Sequence, residues 1–192
     1  MVFPTRCIYG LGADAFNPDA VKSIYEMKQR RSGKPILILI HEREALPRWV
    51  QSVPGTGRLL MDRFWPGRLT LVFEAKPEVP EILTGGTGKI GIRLCSHPVA
   101  RALVQAVGGP ITGTSANVAG EGGCAAVTTL SPRILKAADL VLDAGALSGG
   151  SGSTIVDVTE YPPEILREGA IPTADVFAEF GHPPRNGVDK RP

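Results

Sequence analysis

The most constraining feature of this chain is the apolar run Ile36-Leu37-Ile38-Leu39-Ile40, which follows Pro35. Continuous apolar runs rich in β-branched residues are typical of strands buried on both faces of a sheet. Further stretches with strand character alternate irregularly with segments of helical periodicity. These stretches are 69–75, 89–94, 111–114, 153–158 and 164–167. The pattern predicts an α/β (α+β) fold, with a twisted mixed β-sheet flanked by helices.

Two helices are marked by their terminal residues. Asn17 precedes Pro18, the order expected of a helix cap and a first helical position. Ser96 is predicted to cap a second helix over 97–107, which ends at Gly108, because glycine is favoured just beyond helix ends. These signals place one long helix before the apolar run and another after the strand at 89–94.

At 192 residues, one domain is the default expectation. We assign residues 1–180 to this domain and residues 181–192 to a flexible C-terminal tail, since proline and glycine dominate there without periodicity. Tyr9 to Gly12 is predicted to be a loop, and Leu140 to Leu142 a short strand. Neither of the two common glycine-rich nucleotide-binding motifs occurs.

Composition excludes several classes of protein. The net charge of +2 is mild, whereas nucleic-acid binding is usually indicated by a concentrated basic patch. Cys7, Cys95 and Cys124 are far apart and three histidines are scattered, so neither a disulfide framework nor a protein-ligated metal site is expected. The N-terminus lacks a signal pattern, and the longest aliphatic run is too short to cross a membrane. We expect a cytoplasmic protein without membrane contact.

Short polar side chains follow the strand at 111–114, in Thr114-Ser115-Ala116-Asn117. Such groups can hydrogen-bond phosphate, ribose or metal-bound water, although for this segment alone an ordinary turn stabilised by Ser and Asn is the favoured explanation. Basic and hydroxyl residues recur where other strands or helices end: Thr5, Lys28, Arg30, Arg93, Ser153 and Arg167. No nucleophile–base arrangement or carboxylate pair accompanies them. The set therefore favours binding of anionic groups and charge stabilisation at a transferring phosphoryl group.

Each of these residues also has a structural explanation. Lys28 and Arg30 would favourably complement the dipole at a helix C-terminus, and the Thr5 hydroxyl would serve in a turn. Arg93 lies on a strand between apolar neighbours, where a half-buried guanidinium requires an anionic partner.

Seven blocks in order make the chain resemble the YrdC-like family, whose members include threonylcarbamoyl-AMP synthases. The blocks are Pro4-Thr5 with Tyr9-Gly10-Leu11-Gly12, Lys28-x-Arg30, Trp65-Pro66-Gly67, Ile92-Arg93 with His97-Pro98, Thr114-Ser115-Ala116-Asn117, Ser153-Thr154-Ile155-Val156-Asp157, and Ile165-Leu166-Arg167. The resemblance implies a deep basic groove and the short, single-domain form of the family. It also implies a reaction of ATP, L-threonine and bicarbonate that yields threonylcarbamoyl-AMP and pyrophosphate. A separate tRNA-modifying transferase complex would use the product.

The resemblance also implies roles for individual residues. Lys28 and Arg30 correspond to the catalytic basic pair, which also binds the triphosphate. Ser115, Asn117, Ser153 and Arg167 correspond to further nucleotide contacts, and Thr5 and Arg93 to the threonine site. Mg²⁺ would arrive with ATP, held by phosphates and waters, so no metal ligand is assigned to the protein.

Four residues depart from the family pattern, namely Arg6, Cys7, Arg31 and Arg68. Two alternative functions remain at this stage. One is a non-catalytic protein that binds tRNA or double-stranded RNA in the same groove, although the weak net charge and few aromatic residues count against it. The other is a carbamoyl-adenylate enzyme of hydrogenase maturation, which normally has additional fused segments.

Overall fold

The computed structural model describes residues 1–31 and 33–181. Within this part of the chain, eight strands form one mixed sheet in the order β1-β2-β6-β3-β5-β4-β7-β8. The strands are β1 (Val2–Pro4), β2 (Tyr9–Leu11), β3 (Leu37–Ile40), β4 (Leu69–Glu74), β5 (Lys89–Leu94), β6 (Ile111–Ser115), β7 (Thr154–Asp157) and β8 (Glu164–Arg167). The pairs β3–β5 and β4–β7 are parallel and the other neighbours antiparallel. The predicted fold class is confirmed.

Helices connect the strands. They are α1 (Pro18–Lys28), α2 (Gly55–Phe64), α3 (Glu81–Thr84), α4 (Pro98–Val107), α5 (Pro132–Ala137) and α6 (Thr173–Ala178), with 3₁₀ turns at Arg43–Arg48 and Val127–Thr129. Within the described residues, none of these helices has the length and apolar character needed to cross a bilayer.

The two faces of the central strands have different surroundings, because successive side chains of a strand point to opposite faces. On one face, Ile38, Ile92 and Phe73 belong to the main hydrophobic core, together with Val21 and Ile24 of α1. On the other face, the side chains from the alternate positions of β3 to β7 line a cavity: Leu37, Leu39, Thr70, Val72, Arg93, Ser115, Ile155 and Asp157. The sheet therefore separates the core from the cavity.

The end of α1 is set by Gln29, whose backbone has the left-handed helical conformation. Asn17 caps the start of the helix as predicted, since its side chain accepts a hydrogen bond from the Ala20 N–H at 3.0 Å. The helix stops at Lys28 because Gln29 has φ 50°, and the Gln29 and Arg30 N–H groups close the last turn. This reversal lies between Lys28 and Arg30, which bond different segments: Lys28 bonds Ser115 and Asn117, and Arg30 bonds the Pro35 carbonyl.

Three local predictions were wrong. Tyr9 to Leu11 form a strand, because β1 and β6 supply pairing partners on both sides. Leu140 to Leu142 contribute only an isolated bridge, between Val141 and Val2. The cap of α4 is His97, whose Nδ1 accepts from the Val99 N–H at 3.3 Å, and not Ser96. The C-terminal tail predicted from residue 181 falls, from residue 182 onward, outside the described residues.

We predict that Asn17→Ala lowers the free energy of unfolding by about 1 kcal/mol, because the Ala20 N–H loses its partner at the start of α1. Denaturant unfolding would measure the change. Asn17→Ser is the matched control, since its hydroxyl can still cap the helix, and it should retain most of the stability. Equal losses in both variants would contradict the capping role.

Candidate anion-binding site

A cavity of about 910 Å³ lies on the face of the sheet opposite the main core. Nine of the described lining residues are lysine or arginine, and Asp157 is the single acidic one among them. The nine are Arg6, Lys28, Arg30, Arg31, Lys34, Arg68, Lys89, Arg93 and Arg167. Such an excess of positive charge creates a potential that attracts anions.

The fold brings all eight predicted site residues to this one cavity. They are Thr5, Lys28, Arg30, Arg93, Ser115, Asn117, Ser153 and Arg167. These residues come from α1, β5, β6 and β8, and from the segments that follow β1, α1 and β6 or precede β7. Their proximity follows from the strand order, which sets β6, β3, β5, β4 and β7 side by side.

Lys28 lies at the inner wall of the cavity and is 2% exposed. Its ammonium donates to the Ser115 carbonyl at 2.5 Å, the Asn117 carbonyl at 2.7 Å and the Asn117 Oδ1 at 3.2 Å. Burial, and then the nearby Arg30, lower the pKa of Lys28 to about 8, while Glu121 acts in the opposite direction. Neutral oxygens accept the hydrogen bonds of the ammonium, while burial and the nearby Arg30 disfavour its charged form.

Asn117 organises the segment after β6. Its Nδ2 donates to the Val118 carbonyl at 3.0 Å and to the Glu121 carbonyl at 2.5 Å, while its Oδ1 accepts from Lys28. The Asn117 side chain is therefore engaged with protein groups, as expected of an Asn-containing turn. The neighbouring Ser115 directs its side chain to the cavity from the end of β6.

Arg30, Arg93 and Arg167 lie near one another in the cavity and are not paired with carboxylates in the described residues. Burial lowers the pKa of Arg93, and nearby Arg167 adds to this effect. Burial also lowers the pKa of Arg167, and Arg30 adds to it. The ion pairs of the described residues are His41–Glu42, Arg43–Asp62, Arg63–Glu179 and Lys89–Asp157, and none includes these three arginines.

Individual guanidinium contacts support the same picture. Arg30 donates from Nη2 to the Pro35 carbonyl at 2.8 Å, but its buried Nε has no hydrogen-bond partner in the part of the chain that is described. Arg167 donates from Nη2 to the Ser153 carbonyl at 2.6 Å. Arg30 and Arg93 are half-buried and Arg167 is exposed, so the cluster presents positive charge without a carboxylate partner to the cavity, an arrangement that attracts anions.

Thr5 and Ser153 are also held by the protein. The Thr5 hydroxyl donates to the Ile8 carbonyl at 2.5 Å, which is the turn contact that the sequence suggested as an alternative. The Ser153 hydroxyl is 2.8 Å from the Thr70 hydroxyl, and both residues are buried. Thr70 lines the cavity and was missed, although its alternation with Leu69 and Leu71 places it on the cavity face of β4.

Tyr9 is a second residue that sequence reasoning missed as a contributor to the site. Its buried hydroxyl donates to the Gly145 carbonyl at 2.7 Å and the Asp143 Oδ1 at 3.1 Å, and accepts from the Ala144 N–H at 2.9 Å. These bonds fix the start of the Gly/Ser loop that reaches the cavity at Ser151. A buried tyrosine hydroxyl needs partners, but its long-range partners could not be identified from sequence.

The single acidic lining residue is already neutralised. Lys89 donates to Asp157 at 3.0 Å, and the Thr159 N–H and hydroxyl bind the other carboxylate oxygen at 2.9 and 2.6 Å. Burial alone would raise the pKa of Asp157, but the bonds from Thr159 and Lys89 hold it below its ordinary value. Within residues 1–31 and 33–181, no group of three His, Cys, Asp or Glu side chains is placed to hold a metal ion.

The comparison with known proteins agrees with this geometry. A family model described as Sua5_yciO_yrdC, telomere recombination, matches residues 1–169. The chain belongs to the Sua5/YciO/YrdC family. The resemblance drawn from the seven sequence blocks is thereby confirmed.

Two curated members of the Sua5/YciO/YrdC family are similar over most of the chain. The threonylcarbamoyl-AMP synthase of Pyrococcus abyssi is 35% identical over 181 residues, which cover 94% of this chain and 53% of the relative. The putative threonylcarbamoyl-AMP synthase of Mycobacterium tuberculosis (strain CDC 1551 / Oshkosh) is 34% identical, covering 94% of this chain and 83% of the relative. The chain thus spans about half the length of the first and most of the second.

A solved structure of the family shows the same fold. The crystal structure of P. abyssi Sua5 complexed with L-threonine matches with a TM-score of 0.87 at 33% identity. The match covers 95% of this chain and 54% of that one. The mixed sheet and its flanking helices are therefore those of the Sua5/YciO/YrdC family.

We predict that Lys28 makes stability depend on pH. Its pKa is about 8 in the folded protein and near the ordinary 10.5 when unfolded, so the unfolded chain binds more protons between these values. Stability should therefore rise with pH across this window, by up to about 1.4 kcal/mol per pH unit. The cost of burying the charge is fully present below pH 8 and is relieved above it.

The measurement is the free energy of unfolding of the wild type minus that of Lys28→Met, from about pH 7 to about pH 10. The subtraction removes contributions from other groups. Lys22→Met, on the exposed side of the same helix, is the matched control. Parallel pH curves for the wild type and Lys28→Met would show that Lys28 is not perturbed.

Proposed function

We propose that this chain is a threonylcarbamoyl-AMP synthase that forms threonylcarbamoyl-AMP and pyrophosphate from ATP, L-threonine and bicarbonate. The observation that carries the proposal is the cluster of Arg30, Arg93 and Arg167, which lines one cavity without a carboxylate partner in the described residues. Relatives that bear the name of this enzyme support it. Three free cysteines are in keeping with a reduced, cytoplasmic location.

The reaction needs binding and charge stabilisation more than a protein nucleophile. The threonine amine adds to bicarbonate with loss of water and gives N-carboxy-threonine. An oxygen of its new carboxylate then bonds to the α-phosphorus of ATP, and the bond to the bridging oxygen of pyrophosphate breaks. Positive groups fixed around the phosphates would stabilise the charge that develops in this step.

The arrangement of the cavity suggests how the work is divided. Arg30 lies near enough to Arg167 to lower the pKa of that guanidinium. The two arginines would hold the phosphates, with Ser115 and Ser153 as hydroxyl contacts. Arg93, on the floor formed by β5, would bind the threonine carboxylate through its two-pronged donor face. Thr5 lies in the turn after β1 and would contribute to the threonine site. Each of these roles is part of the proposal.

Mg²⁺ would enter with the triphosphate. The lining offers hydroxyl and amide oxygens, and its single acidic residue is bound by Lys89 and Thr159. Mg²⁺ keeps several waters and readily takes phosphate oxygens as ligands, so the nucleotide would supply most of its coordination. When bound, it would neutralise charge on the phosphates.

Binding of RNA without turnover is the alternative that one observation favours. Arg6, Arg31, Lys34 and Arg68 are exposed residues of the cavity lining and take part in no ion pair of the described residues. Exposed cations of this kind could contact the phosphates of tRNA or double-stranded RNA. If the chain is the synthase proposed above, its product would instead pass to a separate tRNA-modifying transferase complex.

The deciding experiment is pyrophosphate release from MgATP by the purified protein in bicarbonate buffer, with L-threonine, L-serine, glycine or no amino acid. We expect release that depends on threonine. Arg30→Ala is the inactive control, since loss of one charge-stabilising donor should cost about 2–4 kcal/mol of transition-state stabilisation. No release from folded protein, together with salt-dependent binding of RNA, would favour the alternative.

We predict that Arg93→Ala raises the KM for threonine about tenfold to a hundredfold, the range expected for loss of a charge-assisted hydrogen bond. The KM for ATP should change much less. Steady-state pyrophosphate release measures both. Arg101→Ala, an exposed residue of α4 that is not among the lining residues, is the matched control, and equal changes in the two KM values of Arg93→Ala would remove Arg93 from the threonine site.

A further inference from the structure

The Lys28 side chain has no donor left over for a ligand. An ammonium group has three N–H donors and no acceptor. Lys28 has three oxygen acceptors within hydrogen-bond distance, and all belong to Ser115 or Asn117. Its 2% exposure leaves little room for a fourth partner. In this arrangement the lysine binds the protein itself.

The contacts of Lys28 cross a large distance in the sequence. Its side chain joins the end of α1 to residues 87 and 89 positions later. Its main-chain carbonyl accepts from the Ala119 N–H at 2.8 Å, which adds a second tie to the same segment. Together these bonds hold the segment 115–119 from both ends.

The other bonds of this segment lie mostly within its own turn, where the Asn117 N–H donates to the Ser115 carbonyl at 2.9 Å and the Val118 N–H to the Glu121 Oε2 at 3.3 Å. Asn117 uses its own amide to bond Val118 and Glu121, which shapes the turn from within. The Ala116 N–H donates to the Tyr9 carbonyl at 2.9 Å, which continues the pairing with β2. Removal of Lys28 would take a charged donor from the carbonyls of Ser115 and Asn117, and the Ser115 carbonyl would keep the Asn117 N–H at 2.9 Å. Loss of a charge-assisted hydrogen bond to a buried group is costly.

We propose that Lys28 is a positioning residue, which clamps the segment 115–119 so that Ser115 faces the anion in the cavity, and that Arg30 alone of the basic pair presents its charge to the ligand. The left-handed Gln29 makes this division possible, because it turns the chain between the two residues. Lys28 is thereby buried against β6, while Arg30 keeps a buried Nε without a partner in the described residues. The identity of the ligand rests on the proposed function, but the clamp does not.

Hydrogen exchange of the ligand-free protein tests the clamp. We expect Lys28→Met to speed exchange of the amides of Ala116, Asn117 and Ala119 by about tenfold or more, because opening of the segment breaks fewer hydrogen bonds in the variant. Arg30→Met is the matched control, since it removes the neighbouring positive charge but no contact to this segment. Its exchange there should equal that of the wild type. Unchanged exchange in Lys28→Met, or equal acceleration in both variants, would overturn the proposal.

A second measurement on the wild type covers the case in which Lys28→Met does not fold. The pKa of Lys28 is about 8 in the closed structure, below its ordinary 10.5, so an opening that exposes this amine takes up protons and becomes less favourable as the pH rises above 8. Exchange at Ala116, Asn117 and Ala119, corrected for the intrinsic pH dependence, should therefore be slower at pH 9 than at pH 7. The amides of β4 serve as the internal reference. Equal protection at the two pH values would overturn the clamp.

Kinetics then separate positioning from direct contact. If Lys28 only holds the segment, saturating MgATP should order the segment again, so Lys28→Met should raise the KM for ATP more than it lowers kcat. Arg30→Met should lower kcat at saturating MgATP. A Lys28→Met variant with lost kcat and an unchanged KM would overturn the positioning role. The exchange data stand even if no turnover is found, so failure of the clamp and failure of the proposed function are distinguishable.

Discussion

The site depends on a sheet that packs against the main hydrophobic core on one face and lines the cavity with the other. Strands β3 to β7 lie in the middle of the sheet, and their alternate side chains are directed either to the main core or to the cavity. The apolar face contributes the stability that a domain of this size needs. That stability offsets the cost of placing polar and charged side chains on the other face.

The three arginines show the cost of this arrangement. Burial lowers the pKa of Arg93 and of Arg167, and nearby Arg167 adds to the first effect and Arg30 to the second, so positive charge without a carboxylate partner in the described residues is concentrated here. A bound anion would offset the repulsion between these charges, and its binding would add to the stability of the folded protein. Asp157, by contrast, is balanced within the protein by Lys89 and Thr159, and it leaves the excess positive charge in place.

Residues that share a motif do not share a role. Lys28 and Arg30 are two positions apart and both line the cavity, but the Lys28 ammonium is bonded to Ser115 and Asn117, whereas the buried Arg30 Nε has no partner in the described residues. Asn117 likewise bonds its own turn and Lys28. Contacts of this kind lie between segments far apart in the chain, so no spacing rule reports them.

Local signals determined much of the fold: the capped helix at Asn17, the apolar strand before Ile40, and the polar ends of β6 and β8 were all evident from the sequence. That eight residues from distant segments lie together was also predictable from the ordered motif blocks, and all eight line one cavity. Tertiary structure alone decided that Tyr9 to Leu11 form a strand, that His97 caps α4, and that Lys28 faces Ser115 and Asn117. Strand pairing and buried hydrogen bonds depend on partners brought near by the fold, and local propensity contains no information about such partners.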